Sequence, residues 1–164
     1  MPRIDSIVKK PALCSKEELD EFCRLVRQGG EVGADGLKDR VQRARALVFL
    51  RLDGELAGVA GLKEPSPVYR DGVFRKALVP ATSKVFRLEL GWVFVPPAHR
   101  RKGYSLVLSG AAISQSDRAP TFATTRLDNV AMQRTLEHVG LRRLGESWQS
   151  GRGARPWLVL YVTE

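Results

Sequence analysis

Apolar residues in this chain gather into short runs, and the spacing inside each run assigns an element to it. Leu19, Phe22, Leu25 and Val26 recur at helical spacing behind Ser15-x-x-Glu18, a capping-box pattern, so a helix is expected from residue 15 to about 27. Gly29, Gly30 and Gly33 interrupt it, and a second helix is expected over residues 35–45 with Leu37 and Val41 inward. Residues 3–8 read as an edge strand. Residues 46–52 and 55–62 are apolar strands joined by Asp53-Gly54, a two-residue hairpin signal. Residues 86–95 form a long apolar and β-branched run containing one acid, Glu89, which reads as a buried central strand. Pro96 and Pro97 end it, because proline donates no ladder hydrogen bond.

An amphipathic helix is expected over residues 106–116, a strand over 121–126, and a further helix opened by Asp128-Asn129, carrying Val130, Leu136 and Val139 and stopped by Gly140. Two closing strands, 144–149 and 157–162, flank a Gly/Arg turn. Residues 63–84 are the least regular part, with Pro65, Pro67, Pro80 and the aromatics Tyr69 and Phe74. That length suits either a substrate-facing connection or a surface flap. Strands and helices alternate through the middle with hairpins at both ends, which argues an α+β fold: a mixed, largely antiparallel sheet flanked by helices.

A chain of 164 residues is expected to be one domain, 1–164, with one continuous core. It contains no apolar run of transmembrane length and no signal-peptide centre near its start, so a soluble, cytoplasmic protein with no membrane partner is expected. Cys14 and Cys23 lack metal-ligand spacing and read as free thiols in a reducing compartment; with only two histidines, a metal site is not expected. Lys and Arg number 27 against 18 Asp and Glu, a net charge of +9 that favours anionic partners. The charge is spread along the chain, and solvated helix faces explain most of it.

The candidate chemistry starts where the central strand stops. Behind the proline pair come His99, Arg100, Arg101, Lys102, Gly103, Tyr104 and Ser105, running into the next helix. Such a strand–loop–helix turns backbone N–H groups toward one point and adds the positive end of a helix dipole and three cations, a cradle for phosphate. Gly103 lets a phosphate lie against the backbone. The same Arg100, Arg101 and Lys102 also read as an ordinary solvated charge run. Neither G-x-G-x-x-G nor G-x-x-x-x-G-K is present, which sets aside dinucleotide and P-loop ligands.

Val95-x-Pro97-x-x-Arg100-x-x-Gly103-x-Ser105 resembles the signature V-x-P-x-x-R/Q-x-x-G-x-G/A of the GNAT superfamily of acyl-CoA-dependent N-acyltransferases, with Ser105 in a small-residue position. Residues 129–141, NVAMQRTLEHVGL, resemble that superfamily's second signature through Asn129 and Gly140, whereas Leu136 stands where a tyrosine acid is frequent. The resemblance spans residues 15 to 162. It implies a twisted sheet of six to seven strands with about four helices, splayed between strands 86–95 and 121–126. It also implies acetyl-CoA as acyl donor, bound by Arg100, Arg101, Lys102, Gly103, Tyr104 and Ser105 at its phosphates and by main-chain groups of Val93, Phe94 and Val95 along its pantetheine, with Asn129 on the cofactor side. No metal is implied.

Glu89 lies six residues before Val95, the place of the glutamate base in some histone-type members, and burial is expected to raise its pKa toward a useful value. It reads equally as a structural glutamate, solvent-facing or paired with a core arginine. Neither His99 nor His138 is assigned a role, and no nucleophile-elbow sequence exists. The expected reaction is direct attack of a primary amine on acetyl-CoA in a ternary complex, the acceptor being a small molecule or a peptide or protein amine. Two alternatives stand beside it: a member directed at nucleic acid or aminoacyl-tRNA, suggested by the charge, and a CoA-binding domain without catalysis, suggested by Leu136. A homodimer is common in the resembling family.

Overall fold

The runs read in the sequence become seven strands and five α-helices in a computed structural model that describes residues 1–164. In chain order they are β1 (Ile4–Lys9), α1 (Lys16–Gly29), α2 (Leu37–Gln42), β2 (Ala46–Leu52), β3 (Glu55–Lys63), α3 (Pro67–Lys76), β4 (Leu88–Phe94), α4 (Tyr104–Ser114), β5 (Thr121–Arg126), α5 (Val130–His138), β6 (Leu141–Gln149) and β7 (Trp157–Thr163). The strands are ordered β1-β2-β3-β4-β5-β7-β6. The β1/β2, β2/β3, β5/β7 and β6/β7 ladders are antiparallel and the β4/β5 pairing is parallel, the mixed and largely antiparallel sheet expected. No helix is long and apolar enough to cross a membrane.

Two compact units are present. The first comprises Met1–Glu64 and Leu90–Asp117. Its core gathers Leu19, Phe22, Leu25 and Val26 from α1, Leu37 and Val41 from α2, Leu47 and Phe49 from β2, Val59 from β3, and Trp92 from β4. Ser15 caps α1: its Oγ accepts from Glu18 N at 3.1 Å, and Glu18 Oε1 accepts from Ser15 N at 2.9 Å. Asp53 and Gly54 both take positive φ, 50° and 85°, the pair of left-handed residues that a tight hairpin turn with the native strand twist requires. The second helix is shorter than its apolar spacing suggests, because Gly36 delays its start and Arg43 ends it.

The second unit comprises Pro65–Glu89 and Arg118–Glu164. Val73, Phe74 and Ala77 of α3 pack with Phe86, Phe122, Trp148, Leu160 and Val162. Phe74 stacks on Phe86 at 5.3 Å and meets Phe122 edge-on at 5.4 Å. α3 is a correction to the irregular reading of residues 63–84. The prolines that argued against a helix start this one, since Pro67 occupies the first turn, where its missing N–H costs nothing, and Ser66 Oγ accepts from Tyr69 N at 3.3 Å. Trp157 and Val130, although apolar, are 50% and 52% exposed, because Trp157 opens β7 and Val130 opens α5.

Candidate active site

In the first unit β4 stops at Phe94, and Pro97–His99 makes one 3-10 turn closed by His99 N donating to Pro96 O at 2.9 Å. Arg100 then folds back on the strand end: its Nε donates to Val95 O at 2.8 Å, and its guanidinium lies 5.7 Å from the Phe94 ring centroid. Arg100, Arg101 and Lys102 are all exposed, but Arg100 is engaged in shaping the loop. Gly103 is the N-cap of α4 at φ 79°, a left-handed conformation that glycine adopts without steric cost. No side chain caps α4, so its first-turn N–H groups, on Tyr104, Ser105 and Leu106, have neither an intrahelical nor a capping acceptor. A Cβ built on Gly103 meets nothing within 4 Å. The start of α4 therefore opens onto space that can accept an anion. Tyr104 is buried, with Leu108 and Ala112 along the inner face of α4, which packs on β1, β2 and β3.

Two residues before the end of β4, Trp92 takes φ 55°, a bulge-like reversal in mid-strand. Its ring meets Phe22 edge-on at 5.9 Å, and the Lys63 ammonium sits 4.9 Å from its centroid. Gly61 faces that ring, and a Cβ there would collide with it. The indole Nε1 is buried without an acceptor. This packing carries the run Val93, Phe94 and Val95 into the loop.

In the second unit Glu89 is 3% exposed, the burial expected of it. Its strand position faces Phe122, and the parallel β4/β5 register comprises Leu88 with Thr121 and Glu89 with Phe122. Tyr69 donates its hydroxyl to Glu89 Oε2 at 3.0 Å. The Tyr69 residue is 44% exposed, yet its hydroxyl turns onto the buried carboxylate. Withdrawal of that hydroxyl from water, the Glu89 charge and the hydrogen bond itself push the phenol well above its ordinary range, with Thr124 and Arg152 opposing. Tyr69 is therefore a proton-bearing donor at neutral pH. Nothing in the sequence linked it to Glu89, because the contact joins residues 20 apart through a helix the prolines disguised.

Residues 14–141 match the sequence profile of the Acetyltransferase (GNAT) family. The chain belongs to the GNAT family. Solved structures share its fold at low identity. An acyl-CoA N-acyltransferase from Pseudomonas aeruginosa superposes with a TM-score of 0.68 at 16% identity, covering 99% of this chain and 100% of that one. ElaA from Escherichia coli superposes at 0.70 with 13% identity over 99% and 100%. yncA from Salmonella typhimurium, solved with its cofactor acetyl-CoA, superposes at 0.70 with 14% identity over 98% and 94%. No curated protein sequence matches significantly.

Within this GNAT chain the second signature has a structural account. Asn129 caps α5, its Oδ1 accepting from Met132 N at 3.1 Å, and Gly140 ends the helix at φ 97°. Leu136 is fully buried on the inner side of α5, an apolar plug where the family often has a phenol. His138 Nδ1 lies 2.8 Å from Arg134 O, a contact within its own helix. Cys14 and Cys23 are free, and burial raises both thiols above their ordinary range. The phosphate-loop candidates and Val93 to Val95 lie together in the first unit; Glu89 and Asn129 lie in the second.

Proposed function

We propose that this GNAT chain is an N-acetyltransferase that moves an acetyl group from acetyl-CoA to a primary amine, of a small molecule or of a peptide, by direct attack in a ternary complex. The observation that carries the reading is the uncapped N-terminus of α4 at Gly103, set between Arg101, Lys102 and the Arg100-braced end of β4. Backbone N–H groups of residues 103–105 and the Arg101 and Lys102 side chains hold the pyrophosphate and 3′-phosphate. Main-chain groups of Val93, Phe94 and Val95 take the pantetheine amides. The acetyl-CoA bound by yncA, which shares the fold, supports the choice of donor. The GNAT profile runs through both units, which supports one catalytic domain across the chain. Use of a CoA thioester and two free thiols fit a cytoplasmic enzyme.

Glu89, or a water it holds, takes a proton from the substrate ammonium, and the amine so freed attacks the thioester. No enzyme nucleophile is required, because the amine itself attacks the thioester carbon. The leaving thiol has an ordinary pKa of about 8.5, the free-cysteine value, so its thiolate departs tolerably without a proton from position 136. Asn129 serves the cofactor side by fixing the start of α5.

The test is acetyl transfer from acetyl-CoA over a panel of small amines and peptides, with CoA binding measured in parallel. Gly103→Trp is expected to abolish CoA binding while the protein still folds; retained binding would remove the loop assignment. The buried Leu136 favours one second reading, a CoA-binding domain without catalysis. Tight CoA binding with no transfer to any amine would establish that reading instead.

A further inference from the structure

We propose that Tyr69 is the positioning residue for Glu89: presented by the first turn of α3, its hydroxyl holds the Glu89 carboxylate in one orientation for accepting the substrate proton. The inference rests on the reading of Glu89 as base. A glutamate's last torsion is broad and roughly two-fold, so burial alone leaves the carboxylate plane undetermined. A donor 3.0 Å from Oε2 determines it.

The donor is itself held at both ends of its helix. At the start, Pro67 and the Ser66 cap set the turn that carries Tyr69. At the far end, Ala77 O accepts from Glu146 N at 2.9 Å, and Gly145 at φ 72° lets β6 approach so closely that a Cβ would strike the same carbonyl. Between them Phe74 packs on Phe86, three residues before Glu89, and on Phe122, its partner in the β4/β5 register. One aromatic cluster therefore ties the helix bearing the donor to the strand bearing the acceptor. The phenol donates and the carboxylate oxygen accepts, so the bond runs from Tyr69 to Glu89. Groups that must hold productive geometry need such support, since a misplacement of about 1 Å can cost on the order of a hundredfold in rate.

The experiment compares Tyr69→Phe, Glu89→Gln and the double variant in acetyl transfer. Tyr69→Phe is expected to lower kcat about tenfold to a hundredfold with KM for acetyl-CoA unchanged and thermal stability retained. The double variant is expected to be no slower than Glu89→Gln alone, because without the base there is nothing left to orient. If Glu89→Gln slows transfer while Tyr69→Phe does not, or if the two losses multiply, the positioning role is overturned and the base assignment stands. If Glu89→Gln leaves the rate untouched, the base assignment falls and the positioning role with it. Should Tyr69→Phe unfold, Gly145→Ala decides: by disturbing the end of the helix that carries Tyr69 it is expected to slow transfer in the protein with Glu89 but to add nothing in the Glu89→Gln background, and equal slowing in both backgrounds overturns the positioning role.

Discussion

Arg100 reaches back five residues to donate from Nε to the Val95 carbonyl at 2.8 Å, so the residue that the signature places beside phosphate is also the brace of the loop that would hold it. Its guanidinium meanwhile lies over Phe94. A planar fork can donate to a carbonyl, lie on an aromatic face and still present nitrogens to an anion; an ammonium is a single point charge. Arg100→Lys is therefore expected to weaken acetyl-CoA binding nearly as much as Arg100→Ala, by about tenfold. Calorimetric titration with CoA checks this, and full recovery by lysine would reduce Arg100 to a charge.

Glu89→Gln keeps shape and removes the carboxylate proposed as base. Transfer at neutral pH is expected to fall by roughly a hundredfold or more, with CoA affinity little changed. Its pH–rate profile is expected to differ from that of the unaltered protein, and an identical profile would strip Glu89 of the role.

Gly145 sits at φ 72° against the carbonyl of Ala77, the C-cap residue of α3. Gly145→Ala meets both an unfavourable backbone conformation and a collision, and is expected to cost about 1–3 kcal/mol in urea unfolding. Because that contact anchors the helix carrying Tyr69, transfer should slow more than CoA binding weakens. Unaltered stability would mean that β6 yields without cost.

Ser15 and Glu18 hold the start of α1, and Lys9 of β1 pairs with Glu18 at 2.8 Å. Ser15→Ala should cost about 1 kcal/mol. The Lys9 ammonium and the Ser15 N–H hold the Glu18 carboxyl below its ordinary range. A carboxyl depressed on folding contributes stability that is present above its unfolded pKa and is lost as pH falls through the folded one. Unfolding followed from neutral to acidic pH should show the unaltered protein losing this advantage over Glu18→Gln, and parallel curves would refute the linkage.

Local chemistry in the sequence determined most of the elements and the loop. A capping box, an Asp-Gly turn and a proline pair act within a few residues of where they stand, so Ser15, Asp53-Gly54 and the stretch Val95 to Ser105 were legible without tertiary knowledge. The sequence offers Gly103 only as room for a phosphate; its left-handed turn into α4 belongs to the structure. Tertiary structure decided what depends on distant partners. Whether Pro65 and Pro67 break a segment or start a helix turned on the apolar seat offered by Phe86, Phe122 and Trp148, far along the chain. That choice in turn placed Tyr69 on Glu89, converted Arg100 from a loose cation into a brace, and left Trp157 at a strand end in water, since burial and hydrogen bonding are properties of neighbours and not of residue types.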